Sequence, residues 1–264
     1  ASAWAYDVAS DEHVRRLPTS ARDQVVERLA TTPQTFRLDD DQTTDGAIRR
    51  RIDGFVTAPL FLTQGGAFQP GTTLALDGAG LPAYQGMYEI PFTTVIPACA
   101  YTATAPVGIM MYGHGLNGSG QQAASGAIRD TAAAACVISI GTDMRGMSER
   151  DIGNIARALS DLNHGDEIFE TLIQGLANHV ALERAMETVL ADQLYLCRAE
   201  DATVTGCTVG ARLADPTKLY YYGLSQGHIF GTTVLAYTKK IRRGVIGVGG
   251  GNYSTMLGAL DWPL

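Results

Sequence analysis

The most informative alternation of apolar and polar positions lies between residues 218 and 237. Lys218 to Tyr222 reads as a short buried strand, interrupted by Gly223-Leu224-Ser225-Gln226-Gly227. Ile229, Val234 and Leu235 then recur at helical spacing, which predicts a helix to about Tyr237. A strand that passes through Gly-x-Ser-x-Gly into a helix predicts a nucleophile elbow. Such a turn crowds the backbone two residues either side of the serine, so Gly223 and Gly227 are expected to be required as glycines. Ser225 Oγ would project above the sheet edge, over a helix N-terminus that favours developing negative charge. An ordinary strand–turn–helix with Ser225 as a simple cap has the same pattern.

A second apolar run, Pro106 to Tyr112, ends in Gly113-His114-Gly115-Leu116-Asn117-Gly118-Ser119-Gly120, followed by a predicted helix over Gln121 to Ala135. A glycine-rich loop between strand and helix either cradles phosphate or presents N–H groups to an oxyanion. No Gly-Lys-Ser/Thr follows, and His-Gly directly after the strand fits the oxyanion reading better. It makes the N–H of Leu116 one donor and that of Gln226 the other. His114 is expected to brace the loop through hydrogen bonds rather than to act as a base.

The remaining periodicity fills in a sheet with helices. Ser10 to Leu29 predicts a helix with Val14, Leu17, Val25, Val26 and Leu29 on its apolar face. Gly54 to Leu62, Thr72 to Leu76 and Met87 to Pro97 read as strands, as do Cys136 to Ile140 and Gly244 to Val248. Residues 166 to 196 carry a long helical pattern, with Asp166 and Glu167 expected to cap it. Asp143 and Arg145 are expected to pair and fix the loop that begins at Thr142. The acidic stretch Asp39 to Gly46 reads as a solvated loop, with calcium binding as the alternative.

Composition narrows the function classes. The 264 residues are 45% hydrophobic and 18% charged, as in a globular protein. A net charge of -7 argues against nucleic acid or an anionic membrane surface as partner. No run is long and apolar enough for a transmembrane helix. Cys197 and Cys207 flank a polar loop, Cys99 ends one predicted strand and Cys136 begins another. Two bridges and an oxidising compartment, secreted or periplasmic, are expected. No C-x-x-C pattern supports a zinc site, and neither metal nor cofactor is called for.

With Gly113-His114-Gly115-Leu116 after one strand, Gly223-Leu224-Ser225-Gln226-Gly227 after a later one, and Asp143-Met144-Arg145-Gly146 between them, the chain resembles the α/β-hydrolase superfamily. The likeness is to its secreted esterase, lipase and polyester-hydrolase branches. The resemblance implies an α/β fold, with a mostly parallel sheet flanked by helices over residues 51–264 and an N-terminal extension over residues 1–50. It also implies a serine carboxylic-ester hydrolase, acting on a small-molecule or polymeric ester through an acyl-enzyme on Ser225. A serine peptidase or a non-catalytic binding protein of the same fold are the alternatives. The family places its acid and histidine after the nucleophile. Here no histidine follows His228, and Asp261 is the only later acidic residue. The base and acid are therefore expected from a second polypeptide segment, an expectation to which the apolar ending Asp261-Trp262-Pro263-Leu264 contributes. His228 and His164 are the resident alternatives. Leu116, Met144, Met147 and Tyr253 could line a cleft or equally belong to the core.

Overall fold

The computed structural model describes residues 9–44, 46–64, 69–201, 203–204 and 206–250. Tyr253 and the ending Asp261 to Leu264 lie outside them. Seven strands form one sheet: β1 (Phe36–Thr43), β2 (Ile48–Pro59), β3 (Met87–Pro97), β4 (Val107–Gly113), β5 (Ile138–Gly141), β6 (Ala214–Leu224) and β7 (Arg243–Gly247). Their order is β1-β2-β3-β5-β4-β6-β7. The first three strands and β5 pair antiparallel, while β5, β4, β6 and β7 pair parallel. Five strands thus run one way, and only β1 and β3 oppose them.

The central strands explain the apolar runs. Every residue of β4 and β5 is buried, so neither shows polar alternation. Ile109 and Met111 face one side of the sheet, together with the helices α1 (Asp11–Thr31), α5 (Asp166–Glu187) and α6 (Gln226–Tyr237). Met110 and Tyr112 face the other side, where α3 (Gly126–Ala135) contributes Ile128 and Ala132. Two short helices, α2 (Cys99–Thr102) and α4 (Ile152–Ser160), lie in the connections. The register sets the two glycine motifs side by side: Gly113 is the ladder partner of Gly223, and Tyr112 that of Gly141. The loops after β4, β5 and β6 therefore leave the sheet at one level, the edge where open α/β sheets bind ligands.

Several expectations are corrected. The acidic stretch is not a loop: Asp39 to Gln42 belong to edge strand β1. Asp41 there is held by Arg50 at 2.6 Å and by Arg198 at 2.9 Å. The sheet continues through residue 50, and Ala21, Val25 and Leu29 of α1 share the main core, so residues of the first 50 are packed into the same core as the central strands. On α1, Val14 and Val26 point outward and Ala21 takes a core position instead. Thr72 to Leu76 makes only isolated bridges, at Leu74 and Leu76. The helix expected from Gln121 is split into a 3-10 turn, Gly120–Ala124, and α3. The helix expected to reach residue 196 ends at Glu187, and a π-turn comes after it at Leu190–Leu194. Disulfides join Cys99 to Cys136 and Cys197 to Cys207.

Candidate active site

Ser225 follows the last residue of β6 and precedes the first of α6, with φ 56° and ψ -116°. A non-glycine residue there is strained by roughly 1–3 kcal/mol, which the surrounding packing must offset. The two glycines show how. A Cβ at Gly223 would run into the Gly227 carbonyl, and a Cβ at Gly227 into the carbonyl of Gly113. The elbow thus rests directly on the end of β4, and the two sequence motifs are in backbone contact. Tyr221 lies beneath: its hydroxyl donates to the Gly227 carbonyl at 2.7 Å, and its ring occupies the space that side chains at Gly113, Gly223 and Gly231 would take. Burial raises the Tyr221 pKa above the usual phenol value, so the hydroxyl stays a donor. Ser225 itself is exposed, while Gln226 beside it is buried and begins α6.

The loop after β4 is a turn. Gly118 N–H donates to the Gly115 carbonyl at 3.0 Å, and Asn117 has φ 54°. His114, fully buried, uses both ring nitrogens. Its Nδ1–H donates to the Gly115 carbonyl at 2.7 Å, and its Nε2 accepts the Met144 N–H at 2.8 Å. These partners require the neutral Nδ1–H tautomer. Desolvation lowers the His114 pKa, only partly opposed by the Gly115 hydrogen bond and by Asp143 and Asp151. Both His114 ring nitrogens are thus committed to backbone groups of the two loops. Because the peptide is planar and trans, fixing the Gly115 carbonyl inward turns the Leu116 N–H to the opposite side. Leu116 is 53% exposed there, whereas Met144 is fully buried core.

The loop after β5 is the frame for this turn, but not through the expected pair. Arg145 bonds Asp151 at 3.3 Å, and Asp143 pairs with Arg150 at 3.3 Å. Asp143 Oδ1 also accepts the Gly120 N–H at 3.0 Å. Asp151 accepts from Gly146 N–H, Ser148 N–H and Ser148 Oγ, and so shapes the 144–148 turn. That turn holds the β4 loop in return: Asn117 N–H donates to the Met147 carbonyl, and Glu149 N–H to that of Gly118. Asp151 was legible in Ser148-Glu149-Arg150-Asp151, a capping-box spacing. A cleft of about 370 Å³ lies at this edge, lined by Thr93, Ser119, Gly120, Asp143 and Arg150 but not by Ser225.

No histidine ring is hydrogen-bonded to the Ser225 hydroxyl among the described residues; the His228 backbone N–H donates to the Ser225 carbonyl at 2.9 Å, as a first-turn helix bond. His228 Nδ1 accepts the Gly249 N–H at 3.0 Å, which turns its ring toward the loop after β7. His164 pairs with Glu167 at 3.2 Å, and Arg157 also reaches that carboxylate. Glu167 is therefore a buried ion-pair partner, and neither expected residue caps the helix: Gly165 holds the cap position without a side-chain bond, and Asp166, in the first turn, accepts the Glu167 N–H. His179 is buried in α5 with Nδ1–H donating to the Gly175 carbonyl, and burial lowers its pKa to about 4. His13 lies on the exposed first turn of α1. No three potential metal ligands are gathered among the described residues.

No family model and no curated protein matches the sequence. Solved structures similar to it include acetyl xylan esterase 1 from Thermoanaerobacterium sp., at 12% identity and TM-score 0.46, covering 86% of this chain and 56% of that one. A glucuronoyl esterase from Teredinibacter turnerae stands at 11% and 0.42, covering 83% and 46%. The carboxylesterase EstE1 from a metagenomic library stands at 12% and 0.40, covering 96% and 62%. The chain thus spans only about half to three fifths of the length of these proteins. Its crossed β5-β4-β6 order, its antiparallel opening strands and its strand–serine–helix turn resting on the β4 loop together make this an α/β-hydrolase fold.

Proposed function

We propose that Ser225 is the nucleophile of a serine carboxylic-ester hydrolase. Its Oγ attacks the ester carbonyl and passes its proton to a base, and the N–H groups of Leu116 and Gln226 hold the resulting oxyanion. Collapse breaks the bond to the leaving alcohol, which takes the proton back, and water then hydrolyses the acyl-enzyme by the same steps in reverse. Gly113, His114, Gly115, Gly223 and Gly227 support this geometry. The observation that carries the reading is the strained, exposed Ser225 on an elbow packed against the very loop whose Leu116 N–H is turned outward.

The base and acid come, in this reading, from a second polypeptide segment, because each of the five histidines of the chain is engaged elsewhere or lies on the surface of α1. Small-molecule or polymeric esters are the substrate class. The two disulfides support a secreted or periplasmic location.

Hydrolysis of an activated aryl ester by wild type and Ser225→Ala tests the assignment. The variant should fold normally and lose turnover, whereas residual turnover above about a tenth of wild type would exclude Ser225 as nucleophile. An aryl amide run in parallel decides between esterase and peptidase.

A further inference from the structure

Gly115 is the pivot of the β4 loop, and no packing fixes it. A Cβ at this position would meet nothing within 4 Å. Its conformation is therefore set by hydrogen bonds. The carbonyl side is held by His114 and Gly118, as described above. The N–H side is held by one group, Gln122, whose Oε1 accepts the Gly115 N–H at 3.2 Å. Gln122 thus fixes the His114–Gly115 peptide, while His114 and Gly118 fix the next one, which carries the Leu116 N–H. Without the Gln122 acceptor the first peptide can turn at the glycine and shift the whole loop.

We propose that Gln122 is the positioning residue that aims the Leu116 N–H into the oxyanion site, an inference that rests on the reading of Ser225 and its two backbone donors given above. Gln122 is suited to this by its mounting. Its N–H donates to the Ser119 carbonyl and its own carbonyl accepts from Ser125, both at 3.1 Å, within the Gly120–Ala124 turn. That turn is locked onto the end of β5, where a Cβ at Gly120 would lie 2.7 Å from the Gly141 carbonyl oxygen. The Gln122 amide also lies across the β4 loop, over Gly118. A Cβ at Gly118 would overlap Nε2 and lie 3.0 Å from Cδ. Gly118 has no positive φ, so its glycine is needed for space: the Gln122 amide fills it, and the Gly115 carbonyl oxygen also lies 3.0 Å from such a Cβ. Gln122 thus fills the inside of the turn and anchors the peptide before Gly115, in register with the Gly115–Leu116 peptide whose carbonyl His114 and Gly118 hold inward.

The test is a double-mutant cycle with Gln122→Ala, Gly118→Ala and the pair, on the chain together with the segment that supplies the base. Gly118→Ala displaces the amide, and Gln122→Ala removes that overlap, leaving the methyl only the 3.0 Å approach to the Gly115 carbonyl oxygen. Each single variant should lower kcat on an aryl ester by about tenfold with KM unchanged, and the double variant should be no worse than either. Amide exchange at Gly115 is read by NMR in the same samples and should accelerate at least about tenfold in Gln122→Ala. Unchanged Gly115 exchange, or fully multiplicative losses, would overturn the proposal. Ser225→Ala keeps the two readings apart. If it leaves hydrolysis intact the nucleophile assignment fails, while Gly115 exchange still judges Gln122. If it abolishes hydrolysis and Gln122→Ala does not lower kcat, the Gln122 proposal alone fails.

Discussion

Gly227→Ala perturbs the contact on which the site depends. The added methyl has no path of relief: its nearest neighbours are the oxygen, carbon and Cα of Gly113, all backbone. The elbow and the end of β4 must therefore separate by about 1 Å, and overpacking of this kind typically costs about 1–3 kcal/mol. The same displacement carries Ser225 and Gln226 away from Leu116. Misplacement by about 1 Å in a preorganised site costs on the order of 100-fold in rate. Urea denaturation followed by circular dichroism would measure the first effect, and the rate of serine modification by a fluorophosphonate the second. A variant that keeps wild-type stability and wild-type reactivity would refute the claim that the two motifs are in backbone contact. A variant that loses stability alone would show that the alignment of the two loops does not matter for the serine.

Three other outcomes are expected from the same packing. His114 and His179 are both held below the ordinary imidazole value by burial, so the unfolded chain takes up protons that the folded chain refuses. Stability is therefore highest above about pH 6.5 and falls as pH drops below it, for His179 until about pH 4, which urea midpoints measured across that window will reveal. Glu183 is buried and accepts N–H groups from Lys239, Lys240 and Ile241, fastening the segment between α6 and β7. Glu183→Ala should cost about 2–3 kcal/mol in the same denaturation assay, whereas a loss below about 0.5 kcal/mol would contradict that fastening role. For the disulfides, loop length predicts the order. Replacing Cys99 and Cys136, 37 residues apart, should cost about 4 kcal/mol, against about 3 kcal/mol for Cys197 and Cys207, 10 apart, and a reversed order would refute the loop-length account.

What the sequence revealed depended on how local the cause was. The elbow was legible because the clash that demands Gly223, with the Gly227 carbonyl, arises within five residues; the one that demands Gly227 is with the distant Gly113. Strand β3 and the end of α6 were legible because the apolar pattern there is bounded by turn residues. Strand β1 was not, since Phe36 to Thr43 is an edge strand whose Asp39 and Asp40 are exposed and whose order comes from the β2 ladder and from the half-buried Asp41 pairing with Arg50 and Arg198. The partner of Arg145 was misread because proximity in sequence favoured Asp143, while the fold of the 144–148 turn brings Asp151 closer. Gln122 left no signal at all: its role exists only once the Gly120–Ala124 turn lies against β5.

The most direct measurement is fluorophosphonate labelling of the purified chain, with the modified residue located by peptide mass mapping. The account predicts a single adduct on Ser225, lost in Ser225→Ala and faster once the segment that supplies the base is present. An adduct on another serine, or none on Ser225 in the presence of such a segment, would contradict it.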